Sequence, residues 1–178
     1  MQIGVDFGGT KIEAAALDFH GDFLIRRRVP NPGDYAGSIE TVRALVNEIE
    51  NELGRTGTVG IGVPGSISRR TRKMRNANSN WLNGKPFPED LMHALDRDIR
   101  IANDANCLAL SEARGGAMSD AKVGFAIIIG TGCGGGLTIG GEIVEGVNGI
   151  GVGACSDSLG GGGRVAGARM LVRQDKLP

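Results

Sequence analysis

The chain has 178 residues, 40% of them apolar, and carries 20 Lys+Arg against 20 Asp+Glu, a formal net charge of zero. That length suits one good core, or one domain and part of another, and the balanced charge argues against a nucleic-acid or polybasic membrane partner. No apolar run reaches the roughly 18 residues that span a bilayer, and no basic-then-apolar leader opens the chain, so the expected compartment is the cytoplasm.

Gln2 to Phe7 (QIGVDF) alternates and is rich in β-formers, which predicts a strand. Gly8-Gly9-Thr10 makes a tight turn into a second strand, KIEAAALD, and Gly21-Asp22 turns into a third, FLIRRRV. Three strands joined by short turns form an antiparallel meander. From Tyr35 to Leu53 the apolar residues Ile39, Val42, Leu45, Val46, Ile49 and Leu53 fall on one helical stripe. TVGIGVPG reads as a buried strand closed by a Pro-Gly turn. The polar stretch 68–87 holds an Arg/Lys cluster at 69–75 and reads as a solvated loop or hairpin, anion binding being the other reading. Pro88 followed by Glu89 and Asp90 opens a short helix, Pro first and acids in the first turn. IRIAN (99–103) is a strand, Ala105 to about Ala117 a helix, and AKVGFAIIIGTGCGGGLTIGGEIV two strands around a glycine-rich turn. This order predicts a mixed α/β domain over 1–118 and a second domain starting at 119, without a solenoid repeat.

Cys107, Cys133 and Cys155 are widely spaced, and only His20 and His93 offer imidazoles. Neither a complete zinc site nor a disulfide framework is expected. Cys107 and Cys133 read as small buried thiols. Glycine is the outlier, 31 residues of 178 against a usual share of about 7%.

Two of the glycine clusters suggest chemistry. A phosphate needs backbone N–H donors and close approach, and glycines permit both. In DFGGTK, Gly8 and Gly9 are joined by the Thr10 hydroxyl, the Lys11 charge and Asp6, a carboxylate suited to a magnesium ion held mostly through water. GTGCGGG provides a second nest from Gly130, Thr131, Gly132 and Gly134. Each alone reads first as a plain β-turn, and neither matches GxxxxGK[ST] or runs strand-to-helix as a dinucleotide fingerprint does. Asp104, between Asn103 and Asn106 where a strand hands over to a helix, reads either as a helix N-cap or as a general base aimed into a cleft. The two are compatible, because a helix N-terminus stabilises the ionised form that a base requires.

In order and spacing, Asp6–Lys11, Asn103-Asp104-Ala105-Asn106 and Gly130–Gly136 together resemble the ROK family of sugar kinases, over residues 1–150. The resemblance implies an α/β, actin-like ATPase (ribonuclease H-like) fold: an N-terminal domain plus the first strands of a truncated second one. It implies ATP and Mg²⁺, the phosphates held by the two hairpins, and a hexose against Gly65, Asn78 and Asn103, with Asp104 as catalytic base. The stretches GVPGSIS (62–68), NANSNWLNGKPF (76–87) and ANDANCLALSEA (102–113) look closest to bacterial fructokinase/mannokinase, while N-acetylglucosamine kinase and glucokinase share the framework. A homodimer is implied for full-length relatives. The family also includes DNA-binding repressors, whose added N-terminal region is not seen before the first phosphate strand here.

The resemblance fades after residue 150. The family pattern continues into a Gly-Glu-Trp/Phe-Gly-His segment whose Glu and His contact the sugar, and then a zinc segment; both are absent from this chain. Reverse translation of 151–159 with free codon choice, read one base later, permits Glu-Trp-Gly-His-Val-Arg-Ile-Pro. The expectation is a frameshift near codon 150, with 151–178 an atypical Gly-rich tail, 119–150 exposing unpaired strand edges, and impaired kinase activity. A sugar-binding chain without turnover is the alternative.

Overall fold

The computed structural model describes residues 1–129, 133–145 and 169–174. The chain divides into two compact units, Met1–Asp104 and Ala105–Pro178.

In the first unit, β1 (Gln2–Phe7), β2 (Lys11–Leu17) and β3 (Phe23–Pro30) form the expected antiparallel meander. Helix α1 (Tyr35–Leu53) then returns the chain to β4 (Thr58–Val63), which pairs with β1 in parallel. A short hairpin, β5 (Ser66–Ile67) with β6 (Met74–Arg75), a 3-10 turn at Asn80–Leu82 and helix α2 (Phe87–Leu95) lead to β7 (Ile99–Asn103), parallel to β4. The sheet order is β3-β2-β1-β4-β7.

Period-two alternation does the sorting. Ile3, Val5 and Phe7 of β1, Ile12, Ala14 and Ala16 of β2, and Val59, Ile61 and Val63 of β4 are buried in one core with α1 and α2. The α1 stripe supplies Val42, Leu45, Val46 and Ile49 to that core, each fully buried side chain contributing roughly 1.5–3 kcal/mol. Helix α1 starts where Asp34 Oδ1 accepts from Gly37 N at 2.8 Å, and stops at Gly54, whose φ of 62° is cheap only without a Cβ. Helix α2 is locked to α1 and β1 by aromatic contacts: Phe7 meets Phe87 edge-on at 5.2 Å, and the Tyr35 hydroxyl donates to Asp90 at 2.6 Å. At the opposite sheet edge, Arg97 donates to both oxygens of Glu50, at 2.6 and 2.9 Å. Gly57 N adds a third bond to Glu50, at 2.8 Å, tying the entry of β4 to the C-terminal turns of α1.

The second unit opens along helix α3 (Asp104–Gly115), whose first residue ends the first unit. It continues with β8 (Val123–Ile129), β9 (Cys133–Ile139), β10 (Glu142–Ile143) and β11 (Arg169–Gln174), in sheet order β10-β9-β8-β11. The units part after Asp104, fourteen residues before the expected step at 118/119. Packing explains the difference. A Cβ on Gly136 would meet the Ala105 carbonyl oxygen at 2.5 Å and the Ala109 Cβ at 2.7 Å. Helix α3 thus lies in backbone contact with β9 and groups with the strands that follow it. Ala109, Met118 and Ala126 form the small apolar cluster there. The tail, read from sequence as having little to pack, contributes β11, which pairs in parallel with β8 from Arg169↔Gly124 to Gln174↔Ile129. Its apolar run MLV is a β-former, and β8 offers an unpaired edge on that side.

Cys107, expected to be buried, is exposed. The buried residues of α3 are Ala105, Asn106, Ala109 and Ala113, and Cys107 stands roughly 200° around the helix from Ala105.

Candidate active site

Parallel strands β1, β4 and β7 finish at one edge of the first sheet. The register rows Asp6↔Gly62 and Gly62↔Ala102 set their ends level. With strands about 4.8 Å apart, Asp6 stands roughly 10 Å from Ala102 across β4. Open α/β sheets bind ligands outside the carboxyl ends of such strands. The DFGGTK turn, Gly65 and Asn103-Asp104 all leave the sheet at this edge.

The DFGGTK turn is closed by Gly8 N donating to the Lys11 carbonyl at 2.9 Å. A Cβ on Gly8 would sit 2.8 Å from that same oxygen, so the position demands glycine for space. Handedness is not the reason, since neither Gly8 nor Gly9 has a positive φ. Asp6, Gly9, Thr10 and Lys11 are all exposed. A carboxylate, turn amides, a hydroxyl and an ammonium on one surface fit an anion accompanied by a hydrated divalent cation.

One residue that sequence reading passed over holds this turn, and a second packs beside it. Asn31 Nδ2 donates to the Gly8 carbonyl at 2.8 Å, and Asn31 N donates to the Thr10 carbonyl at 2.9 Å. Ser79, 1% exposed, faces Gly9: a Cβ there would come 3.4 Å from Ser79 Oγ, which has no hydrogen-bond partner among the described residues.

Gly65 is the junction of the loops that follow β4. Its φ is +77°, and a Cβ would meet the Arg75 carbonyl oxygen at 2.5 Å and Ala77 N at 2.7 Å. Only glycine lets the exit of β4 lie on the backbone of 75–77. Its carbonyl accepts from Asn103 Nδ2 at 2.9 Å, joining the ends of β4 and β7. The Asn-rich loop is cross-braced by a third unanticipated residue. Asn83 Oδ1 accepts from Ala77 N and its Nδ2 donates to the Ala77 carbonyl, both at 2.9 Å. Asn78 is exposed on that loop, its Oδ1 accepting from Ser79 N at 3.1 Å. The signals for Asn31 and Asn83 were present as Asn beside Pro or Gly, which sequence reading treats as turn chemistry.

Asp104 lies in the first turn of α3, half-buried, directly after the strand residue Asn103. The structure thus places a carboxylate at the first residue of α3, where β7 ends. Of the second nest, Gly130, Thr131 and Gly132 lie outside the described residues. Gly134 sits within β9 opposite Ile128, and a Cβ there would rest 3.5 Å from that of Ala105. Gly134 and Gly136, two apart on one face of β9, thus also serve the close approach of α3.

The Arg/Lys cluster forms the tip of the β5–β6 hairpin, where Ser68 N donates to the Lys73 carbonyl at 2.9 Å and Arg72 pairs with Glu89 at 3.3 Å. That is the solvated hairpin of the two sequence readings. Among the described residues no three His, Cys, Asp or Glu side chains are grouped to hold a metal ion, and no helix is long and apolar enough to cross a membrane.

The sequence profile of the ROK family matches residues 2–153. The N-acetyl-D-glucosamine kinase of Pectobacterium atrosepticum is 42% identical over 151 residues, 84% of this chain and 50% of that protein. The ROK family glucokinase from Streptomyces griseus, solved in complex with glucose and AMPPNP, superposes with a TM-score of 0.77 at 30% identity, over 85% of this chain and 48% of that one. The ROK hexokinase from Thermus thermophilus does so at 0.70 and 30%, over 83% and 49%. The chain spans about half the length of these relatives. The likeness covers the described architecture, an actin-like ATPase fold. The chain belongs to the ROK family.

Proposed function

We propose that this chain carries the hexose-binding and catalytic-base half of an ATP-dependent sugar kinase. The observation that supports it best is the shared sheet edge, where Asn103 is bonded to Gly65 and Asp104 follows Asn103 directly. In this reading the hexose lies against Gly65, Asn78 and Asn103, whose amides both donate and accept toward sugar hydroxyls. Asp104 accepts the proton of the attacking hydroxyl, and the first turn of α3 keeps it ionised for that task. Gly8, Gly9 and Thr10 offer N–H and O–H donors to phosphate oxygens, Lys11 offsets their charge, and Asp6 holds Mg²⁺ through water. Gly130, Thr131, Gly132 and Gly134 form the second phosphate grip. When bound, ATP-Mg²⁺ supplies the transferable phosphoryl group and neutralises its charge. The protein's part is positioning and proton acceptance.

Two specificities compete. The stretches 62–68, 76–87 and 102–113 favour fructose or mannose, whereas the relatives at 42% and 41% identity are N-acetyl-D-glucosamine kinases. Calorimetry of the full chain with fructose, mannose, glucose and N-acetylglucosamine, beside an ADP-release assay, separates them. Binding of one hexose with ADP release supports the kinase reading. Binding without release supports a sugar-binding chain lacking turnover. Binding of none of the four overturns the hexose site.

A further inference from the structure

We propose that Asn31 is the positioning residue of the phosphate hairpin, holding the Gly8–Lys11 turn in its anion-binding shape from beneath. The inference rests on the phosphate reading of that turn. Asn31 grips both limbs of the turn, Gly8 through its side chain at 2.8 Å and Thr10 through its backbone at 2.9 Å. Both bonds point carbonyls 8 and 10 toward Asn31. In a turn closed by Gly8 N and Lys11 O, that keeps these acceptors away from any anion outside.

The polarity of the amide is set by its neighbours. Oδ1 accepts from Gly33 N at 3.1 Å, and Nδ2 donates to a carbonyl; both partners are backbone groups that cannot reverse roles. The brace extends further. The Ser38 hydroxyl accepts from Trp81 Nε1 at 3.2 Å and lies 3.0 Å from Asn31 Oδ1 and 2.6 Å from the Asp34 carbonyl, so its single proton serves either acceptor. Ser38 is fully buried, whereas Asn31 is half-buried at the rim of the core. With the Ser38 proton directed to Asn31 Oδ1, a chain of bonds runs from Trp81, in the loop that carries Asn78 and Asn83, through Ser38 and Asn31 to the carbonyl of Gly8. Asn31 touches neither the anion nor the sugar in this arrangement; it acts through the turn.

The test compares the full-length wild type with Asn31→Ala and Asn31→Asp. The aspartate keeps the acceptor for Gly33 N but sets a carboxylate against the Gly8 carbonyl. Amide hydrogen exchange at Gly8 is expected to rise about 10-fold in the alanine variant, the worth of one net hydrogen bond, and further in the aspartate. Exchange at Val5 and Ile61 stays unchanged. Unaltered exchange at Gly8 overturns the proposal, and so does an equal rise at all three sites, which marks general destabilisation. The second readout is titration with Mg²⁺-tripolyphosphate, followed by the amide shifts of Gly8 and Gly9. Affinity is expected to fall about 10-fold in Asn31→Ala while calorimetric hexose binding is kept, a split that a merely structural residue would not produce. Equal loss of both ligands overturns it. If the wild type shows no tripolyphosphate shifts at Gly8 and Gly9, the phosphate reading fails, and the proposal, which rests on it, falls with it.

Discussion

Replacing Gly65 by alanine separates two reasons for a glycine. The first is handedness: at φ +77° an L side chain costs about 1–2 kcal/mol. The second is space. The new Cβ would stand 2.5, 2.7 and 2.9 Å from backbone atoms of Arg75 and Ala77, none of which can rotate aside. Relieving such overlap typically costs about 1–3 kcal/mol. The shift also strains the Asn103–Gly65 bond, worth about 1 kcal/mol net. The sum is about 3–6 kcal/mol. Gly84 provides the control, with φ +78° and nothing within 4 Å of its ideal Cβ, so Gly84→Ala should cost only the handedness part. A difference of about 2–4 kcal/mol corresponds to roughly 4–16 °C in Tm for a chain of this size. Trp81 is the sole tryptophan and adjoins this loop, so its emission follows unfolding of the relevant unit without a label. Equal melting temperatures for the two variants would refute the claim that Gly65 exists to admit the backbone of 75–77.

Asp104→Asn should fold and bind hexose, yet lower any measured kcat by about 10²–10⁴-fold, since it removes only the proton acceptor; near-normal turnover would reject Asp104 as base. The Arg97 guanidinium holds the Glu50 carboxyl below its usual range, against the opposing pull of burial and with help from Gly57 N. A depressed folded pKa stabilises above the unfolded value and is lost as pH falls through the folded one. Glu50→Gln should therefore be least stable relative to wild type at about pH 7, its deficit shrinking below about pH 4, as denaturant midpoints across that range will report. Burial, and then the bond to Asp90, raises the Tyr35 phenol above its ordinary value. As the only tyrosine in the chain, it should show no phenolate absorbance near pH ~10 until the fold is lost. Titration there with the fold intact would mean that Tyr35 is open to solvent.

Local pattern determined much of this protein. The bounds of β1, α1 and β7 coincide with the sequence reading, because alternation in QIGVDF, a 3.6-residue stripe across 35–53 and a polar stop after IRIAN are each complete within one element. The motifs at 6–11 and 103–106 stood out in the sequence because the chemistry proposed for them restricts residue type at fixed short spacing. Tertiary structure decided what depends on residues far apart in the chain. Asn31 and Asn83 looked like turn residues until their partners at 8, 10 and 77 were adjacent. Gly65 gave no sign of meeting 75–77. Cys107 followed its type toward the core until the stripe of α3 turned it outward. The unit boundary moved from 118 to 104 because Gly134 and Gly136 leave room for Ala105 and Ala109, and a step between domains is set by which surfaces pack, a property that periodicity within either segment does not contain.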